Sequence, residues 1–203
     1  MSSIYLASRS ARRRELLAQI GVRFEPLLFR DGARKDPDTD ETVLAGEQPE
    51  DYVARVTRQK ALAAWERVVM RRGIRRMPVL VGDTTVALAN RIIGKPLDKE
   101  EAILMLQALS GTQHRVLTGV AVCQEQRLEI LVSSSLVTFS TLSNERISTY
   151  VETGEPFDKA GAYAIQGRAG AFVERLEGSY SGVMGLPLFE TTKLLREFGI
   201  VVP

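Results

Sequence analysis

The two longest strand-like stretches of the chain follow one another directly, and this limits the folds that the sequence can adopt. Arg115–Cys123 and Leu128–Ser140 are rich in β-branched and apolar residues, and a short polar connection separates them. Strands joined by so short a connection pair antiparallel, because parallel pairing needs a long crossover. The two segments therefore predict an antiparallel pair within a larger sheet.

The other predicted elements mix strands and helices without strict alternation. This mixture predicts a mixed α+β fold, a mixed twisted sheet flanked by helices with a central cleft. Residues 1–203 are expected to form a single domain, either as one unit or as two lobes around the cleft. The predicted strands are Ile4–Ser8, Phe24–Phe29 and Val79–Gly82, with a hairpin of Thr85–Ala89 and Ile92–Ile93; helices begin at Ser10, Pro49, Asp98, Ser143 and Pro187.

Two segments have no clear period. Arg30–Gln48 is polar and rich in Asp, Gly and Pro, and its length is typical of a functional or disordered loop. Glu155–Gly185 is rich in glycine. Neither pattern predicts a helix or a strand.

Composition narrows the classes of function. Lys and Arg number 27 and Asp and Glu 25, so a net charge of +2 does not favour stable binding to nucleic acid. One cysteine and one histidine allow neither an intrachain disulfide nor a zinc site, so a metal here would be a hard cation held by carboxylates and phosphate. No stretch is apolar enough to span a membrane, and the first residues lack the order of a signal peptide, so we expect a cytoplasmic protein.

The first predicted helix begins with an unusual charge pattern. Arg12 and Arg13 follow Ser10 in its first turn, where the helix dipole disfavours cations by roughly 0.3–1 kcal/mol each. Backbone N–H groups, the serine hydroxyl and the guanidinium groups would all point to one place. This pattern favours an anion site, most naturally for phosphate, over a solvated helix end.

Two further residues stand out against their surroundings. Lys60 lies on the same helical stripe as Val53, Val56 and Ala64, so its ammonium either extends to solvent or reaches a phosphate or carboxylate. Asp83 follows the apolar run that begins at Val79, and strand ends in open sheets face the ligand crevice. Asp83 is therefore a candidate metal ligand or general base, although an aspartate that begins a turn would look the same. Lys95 and Gln166 are weaker candidates by themselves.

Together these pieces resemble the Maf family, also called septum-formation-inhibitor-like proteins, which are nucleotide pyrophosphatases. The segment that begins Leu6-Ala7-Ser8 is similar to the family's L-A-S-x-S-P-R-R-x-E-L-L, and Gly82-Asp83-Thr84-Thr85-Val86 is similar to its A-D-T-x-V. The other motifs follow in family order over nearly the whole chain: Gly94-Lys95-Pro96, Leu109-Ser110-Gly111 with His114, Thr118-Gly119, Asp158 to Gly167, Gly178-Ser179-Tyr180, and Gly185 to Leu188.

The resemblance implies a fold like that of inosine triphosphate pyrophosphatases and a hydrolase that uses a divalent metal, usually Mg²⁺, with Mn²⁺ as the alternative. It implies that Asp83 is the catalytic base and a metal ligand. The residues implied to bind substrate and phosphate are Ser8, Ser10, Arg12, Arg13, Lys60 and Lys95; those implied to set specificity are Arg12, Thr84 and Gln166.

The segment Ala162 to Gly167 is similar to the corresponding segment of the subfamily that prefers dTTP and UTP. The resemblance also implies that the enzyme removes non-standard nucleotides. Two alternatives stay open: a pyrophosphatase for 7-methyl-GTP or purine triphosphates, and a nucleotide-binding regulator of cell division without turnover. A nucleoside triphosphate is the expected partner, without a membrane or stable nucleic acid, and a homodimer is left open.

The sequence departs from the family pattern at two places. Ala11 replaces the usual proline at the first helical position, which removes no chemical group. The loop from Arg30 to Glu47 is longer than the family's acidic segment, so the second carboxylate must be chosen. Asp40-Glu41 matches the family's D-E pair best, which makes Glu41 the expected second metal ligand and Glu47 its competitor.

Overall fold

The computed structural model describes residues 3–27 and 40–202, and over these residues seven strands form one sheet. The strands are β1 (Ile4–Leu6), β2 (Phe24–Pro26), β3 (Val79–Leu88), β4 (Arg91–Ile93), β5 (Gln113–Gln124), β6 (Arg127–Phe139) and β7 (Val173–Glu177). The helices are α1 (Ala11–Gln19), α2 (Pro49–Met70), α3 (Lys99–Leu109), α4 (Asn144–Glu152), α5 (Tyr180–Met184) and α6 (Leu188–Glu197), with 3₁₀ turns at Ala160–Ala162 and Arg168–Phe172.

The sheet is mixed, as predicted. Its order is β2-β1-β3-β5-β6-β7, with β1 parallel to both β2 and β3, whereas β5, β6 and β7 pair antiparallel. The predicted antiparallel pair is β5 and β6, which stay in register from Gln113 opposite Thr138 to Gln124 opposite Arg127. This confirms the fold class of a mixed sheet flanked by helices.

Strand β3 corrects one prediction. The sequence predicts a strand that stops at Gly82, which would put Asp83 at a strand end. Instead β3 continues without a break to Leu88, because Asp83 pairs with Gly119 and Thr84 with Thr118 on β5. The polar residues interrupt the apolar pattern, but they do not interrupt the backbone ladder.

The edge of β3 that is turned away from β5 is open around Asp83. On this edge β1 pairs only as far as Leu6 opposite Leu80, and β4 pairs only from Ile93 opposite Val86. Between these points, residues 81–85 have a strand neighbour on the β5 side alone among the described parts of the chain. The end of one parallel strand therefore leaves a gap next to Asp83, as at a crevice in an open α/β sheet.

Alternate residues of β3 face two different layers. Val79 and Val81 pack with Ala61, Ala64 and Trp65 of α2. On the other face, Leu80 packs with α1 and α6, and Val86 with α3 and α4. Helix α2 thus covers the face of the sheet to which the odd-numbered residues of β3 point.

The remaining predictions meet mixed outcomes. The five predicted helices are present. The segment Glu155–Gly185, read as irregular, contains both 3₁₀ turns, β7 and α5. Residues 28 and 29 of the predicted second strand, and residues 30–39 of the long loop, lie outside the described residues. Within residues 3–27 and 40–202, no helix is both long enough and apolar enough to cross a bilayer.

Candidate active site

A glycine lets α2 approach the sheet directly beneath Asp83. Gly119 is the residue of β5 that pairs with Asp83. A Cβ at this position would overlap Thr57 of α2 and lie 3.2 Å from the Val53 carbonyl oxygen. Because no side chain intervenes, the turn of α2 that carries Thr57 and Lys60 lies close to β3.

Lys60 holds two carboxylates together. Its Nζ lies 2.5 Å from Asp83 Oδ1 and 2.7 Å from Glu41 Oε1. The Lys60 and Asp83 side chains are 19% and 16% exposed, whereas that of Glu41 is 38% exposed. The lysine in the apolar stripe of α2 therefore reaches carboxylates, one of the outcomes expected from the sequence.

The charge of Lys60 is maintained by these partners. Burial by itself lowers the pKa of Lys60, but the carboxylates of Asp83 and Glu41 outweigh burial and raise its pKa. One ammonium group thus lies between two carboxylate groups. Such a cluster retains the capacity to bind a further cation.

The structure separates the two candidates for the second carboxylate. Glu47 accepts hydrogen bonds from Arg55 Nε at 2.6 Å and Arg55 Nη2 at 2.8 Å, and from the Leu44 N–H. The hydrogen bonds of Arg55 hold the pKa of Glu47 at about 2. Glu47 therefore organises the start of α2, whereas Glu41 lies beside Lys60 and Asp83.

A different arrangement occupies the opposite face of β3. Arg13 Nε donates to the Gly185 carbonyl oxygen at 2.7 Å, Nη1 to Ser8 Oγ at 3.2 Å and Nη2 to Thr84 Oγ1 at 3.3 Å. Burial lowers the pKa of Arg13, and the nearby charge of Asp83 acts in the opposite direction. With three protein acceptors, Arg13 ties α1, β3 and the end of α5 together.

The buried centre of this arrangement is Thr118, which the sequence identified only as part of the Thr118-Gly119 motif and without a role. Its hydroxyl lies 3.0 Å from Thr84 Oγ1 and donates to the Gly182 carbonyl oxygen at 2.7 Å, and the residue is fully buried. A threonine inside the otherwise apolar run of β5 was the available signal, because a buried hydroxyl needs a partner.

The other residues of the first loop leave donors available. Arg12 donates from Nε to the Met184 carbonyl oxygen at 3.2 Å, and its two terminal nitrogens make no hydrogen bond within the described chain. Ser8 is buried and accepts from the Ser10 N–H at 3.2 Å. Ser10 is the N-cap of α1 without a side-chain capping bond. The loop thus presents free donors at a helix N-terminus, as an anion site requires.

Lys95 and Gln166 are not joined to the Lys60–Asp83 pair by any contact between described residues. Both side chains are exposed and make no hydrogen bond within the described chain. Lys95 follows β4 on the course that leads from Val86 towards Asp83, because β4 runs antiparallel to β3. The preceding Gly94 carbonyl oxygen accepts from the Gly161 N–H at 2.9 Å, which holds this loop against the Ala160–Ala162 turn.

One electrostatic effect connects Lys159 with Arg12 of the first loop. Burial, followed by the charge of Arg12, lowers the pKa of Lys159. The Lys159 ammonium thus lies within electrostatic range of the Arg12 guanidinium, since such effects weaken with distance. Lys159, which the sequence did not single out, therefore adds a second cation near Arg12.

The carboxylate pair suits a hard divalent cation. Both oxygens lie within 2.7 Å of one point, the Lys60 ammonium, so they converge as the ligands of one ion do. No cluster of three or more His, Cys, Asp and Glu side chains occurs within residues 3–27 and 40–202. Two carboxylates completed by phosphate oxygens and water form a set that Mg²⁺ commonly accepts.

The chain is similar to known proteins over nearly its whole length. The family model described as Maf-like protein matches residues 3–198. A protein of Dechloromonas aromatica named dTTP/UTP pyrophosphatase is 54% identical over 196 residues, covering 97% of each chain. Proteins of the same name from Nitrosomonas europaea and Albidiferax ferrireducens are 52% and 53% identical, covering 98% of this chain and 96% and 98% of theirs. Among solved structures, the Staphylococcus aureus Ham1 protein has a TM-score of 0.45 at 14% identity, covering 84% of this chain and 91% of that chain, too distant to support a conclusion.

Proposed function

Because the chain belongs to the Maf-like protein family, we propose that it hydrolyses nucleoside triphosphates, with dTTP and UTP favoured, to the nucleoside monophosphate and pyrophosphate. Relatives that carry the name dTTP/UTP pyrophosphatase match it over nearly their whole length at 52–54% identity. Action on non-standard nucleotides belongs to the same proposal.

The observation that carries the proposal is the contact of Asp83 with Lys60 and Glu41 at the open edge of β3. In the reaction a water oxygen forms a bond to the α-phosphorus, and the bond from that phosphorus to the α–β bridging oxygen breaks. Pyrophosphate leaves with the bonding electrons. The carboxylate of Asp83 accepts the proton that the attacking water loses, as a general base does.

The basic residues neutralise the triphosphate. Lys60 Nζ, which contacts Asp83 and Glu41, can exchange a carboxylate for a phosphate oxygen without leaving the site. Arg12 contributes two uncommitted guanidinium nitrogens beside the N-terminus of α1, and Lys95 approaches from the loop after β4. Donors arranged in advance stabilise the charge that develops on the leaving pyrophosphate.

Asp83 and Glu41 are the residues that would hold a divalent cation, Mg²⁺ or Mn²⁺. When bound, the ion would neutralise phosphate charge and acidify the attacking water. Lys60 would then lose one or both of its carboxylate partners, which frees its ammonium for the phosphates.

Three residues are proposed to choose the base: Arg12, Thr84 and Gln166. The amide of Gln166 offers one donor and one acceptor, which match two adjacent groups on the imide edge of thymine or uracil. The base of 7-methyl-GTP is larger and positively charged and calls for a carboxylate. Unpaired polar groups at such a site discriminate by roughly 1–3 kcal/mol each.

The proposal also covers the cellular location and the binding partners of the protein. A cytoplasmic location agrees with the single cysteine, Cys123, which is buried and unpaired. We expect the nucleotide to be its partner, without stable binding to nucleic acid or to a membrane, and a homodimer is left open.

The function is tested by measuring pyrophosphate release from dTTP, UTP, CTP, GTP and 7-methyl-GTP in the presence of Mg²⁺. The proposal requires dTTP and UTP to have the highest kcat/KM. Preference for 7-methyl-GTP or for a purine triphosphate would place the chain in another specificity class. Nucleotide binding without release of pyrophosphate would identify a regulator in place of an enzyme.

A further inference from the structure

Glu155 is a partly buried carboxylate that lies outside the site described above. It follows α4, where the Thr153 hydroxyl accepts a hydrogen bond from the Glu155 N–H at 3.2 Å and donates to the Tyr150 carbonyl oxygen at 2.6 Å. The backbone of Glu155 is thus fixed to the last turn of α4. No basic side chain pairs with its carboxylate among the described residues.

The carboxylate is instead hydrogen-bonded to groups of a neighbouring turn and helix. Its Oε1 accepts from the Tyr150 hydroxyl at 2.9 Å and from the Ala169 N–H at 3.4 Å, and its Oε2 accepts from the Arg168 N–H at 3.1 Å. Arg168 and Ala169 begin the Arg168–Phe172 turn, so Glu155 caps the N-terminus of that turn. Burial, followed by the contact with Glu155, raises the pKa of Tyr150, which keeps its hydroxyl protonated as a donor.

Gly167 packs directly against this carboxylate because glycine has no side chain. A Cβ at Gly167 would overlap the carboxylate group of Glu155. The backbone of Gly167, at φ −103° and ψ −152°, does not lie in the left-handed region. A side chain at position 167 would therefore force the Glu155 carboxylate to move, whereas the backbone conformation of Gly167 does not itself demand glycine.

Gln166 lies directly before this anchored point. The Gly167 N–H donates to the Ala164 carbonyl oxygen at 3.0 Å, which closes a turn with Gln166 exposed at its outer position. On one side of Gln166 the chain is held by buried Ile165, and on the other by Glu155. An exposed amide can select between bases only if its backbone is held in place.

We propose that Glu155 is a positioning residue for base selection, acting through Gly167 and the Arg168 and Ala169 amides to hold Gln166 in place. The inference rests on the proposed role of Gln166. It assigns Glu155 no contact with the substrate, the metal or the phosphates. Its loss should therefore change the choice of base and spare the binding of phosphate.

The test compares wild type with Glu155→Ala, Gln166→Ala and the matched control Glu152→Gln. Glu152 also ends α4, but it forms only an exposed pair with Lys99. The readouts are the ratio of kcat/KM for dTTP over 7-methyl-GTP, the inhibition constant of pyrophosphate and the thermal midpoint. Glu155→Ala should lower the ratio about tenfold, as Gln166→Ala does, and leave the inhibition constant within about twofold. Glu152→Gln should match wild type.

A second variant separates positioning from general damage. Gly167→Ala should lower the ratio about as much as Glu155→Ala does, because the added Cβ displaces the carboxylate. In the Glu155→Ala background the same change should have no further effect. Residues that act as a unit show such non-additivity, whereas two independent losses would multiply.

The outcomes distinguish the inference from the proposed function. If wild type does not prefer dTTP over 7-methyl-GTP, the proposed substrate is wrong. If Gln166→Ala leaves the ratio unchanged, the role of Gln166 is wrong and the inference fails with it. If Gln166→Ala lowers the ratio but Glu155→Ala does not, the inference alone is overturned. Equal losses in the ratio and in pyrophosphate inhibition would also overturn it, because they would indicate a loosened fold.

Discussion

Neighbouring residues of β3, Asp83 and Thr84, belong to two unlike regions on opposite faces of the sheet. Towards α2, Asp83 joins Lys60 and Glu41 in a cluster of three charges. Towards α1 and α5, Thr84 joins Arg13 and Thr118 in a network whose acceptors are neutral hydroxyl and carbonyl oxygens. We call these the charged face and the neutral face.

The two faces differ in whether their side chains can exchange a protein partner for a ligand. The side chains of the charged face remain 16–38% exposed, so water, a cation or a phosphate can replace one of their partners. Thr118 on the neutral face is fully buried, and each of the three nitrogens of the Arg13 guanidinium donates to a protein oxygen. One strand thus carries a partly exposed charged cluster on one side and a more deeply buried hydrogen-bonded network on the other.

The largest effect should come from removing divalent metal. Pyrophosphate release from dTTP should fall by at least about a hundredfold with excess chelator and return with added Mg²⁺. The thermal midpoint should change little, because Lys60 pairs with both carboxylates of the charged face when no metal is bound. Activity that persists in chelator would show that the charged face does not work through a cation.

Lys60→Met should lower kcat/KM for dTTP by about tenfold to a hundredfold, the loss expected for one charged hydrogen bond to phosphate. The change also leaves Asp83 and Glu41 without their common cation, so added Mg²⁺ should raise the thermal midpoint more in this variant than in wild type. Lys99→Met, which breaks only an exposed pair, is the control. Equal response to Mg²⁺ in both variants would speak against a shared cation position.

A smaller effect should distinguish the two glutamates of the long loop. Glu41→Gln should raise the Mg²⁺ concentration for half-maximal activity by about tenfold, because a metal ligand loses its charge. Glu47→Gln should weaken the contact with Arg55 and leave the Mg²⁺ requirement near that of wild type. A magnesium titration with the reverse order would mean that Glu47 is the ligand.

A buried histidine on the side of the neutral face should make the stability of the protein depend on pH, without an effect on turnover. His114, on the same side of the sheet as Thr84, is buried with Nε2 2.9 Å from the Tyr163 hydroxyl, and burial lowers its pKa to about 4. The unfolded chain binds a proton near pH 6.5 and the folded chain does not, so stability falls as pH drops from 6.5 towards 4.

The loss should be about 2 kcal/mol between pH 6.5 and pH 5, at 1.36 kcal/mol per pKa unit. Urea unfolding of wild type and His114→Gln over this range measures it. A pH dependence that is the same in both proteins would show that His114 titrates normally.

The sequence contained the signal for the charged face. Lys60 interrupts an apolar stripe and Asp83 follows an apolar run, so both could be identified without coordinates. The position of Asp83 within a continuous strand could not, because the ladder to β5 depends on backbone groups and not on side-chain pattern.

The neutral face was less predictable. Arg13 bonds to the Gly185 carbonyl oxygen, 172 residues away, in a glycine-rich segment without a period. Its resemblance to a phosphate-binding motif gave no sign that protein oxygens would occupy its donors. Whether it also binds phosphate remains a prediction.

The most direct test of the two-face account is a paired measurement of Asp83→Asn and Thr118→Val, with kcat/KM for dTTP and the free energy of unfolding determined for both. Asp83→Asn should lose at least about a hundredfold in kcat/KM while keeping the fold, because only the charge of the base is removed. Thr118→Val should lose about 1–3 kcal/mol of stability, because a buried carbonyl oxygen loses its donor, and its kcat/KM should stay near wild type. An Asp83→Asn enzyme with more than about a tenth of wild-type activity, or a Thr118→Val enzyme as impaired in turnover as Asp83→Asn, would contradict the account.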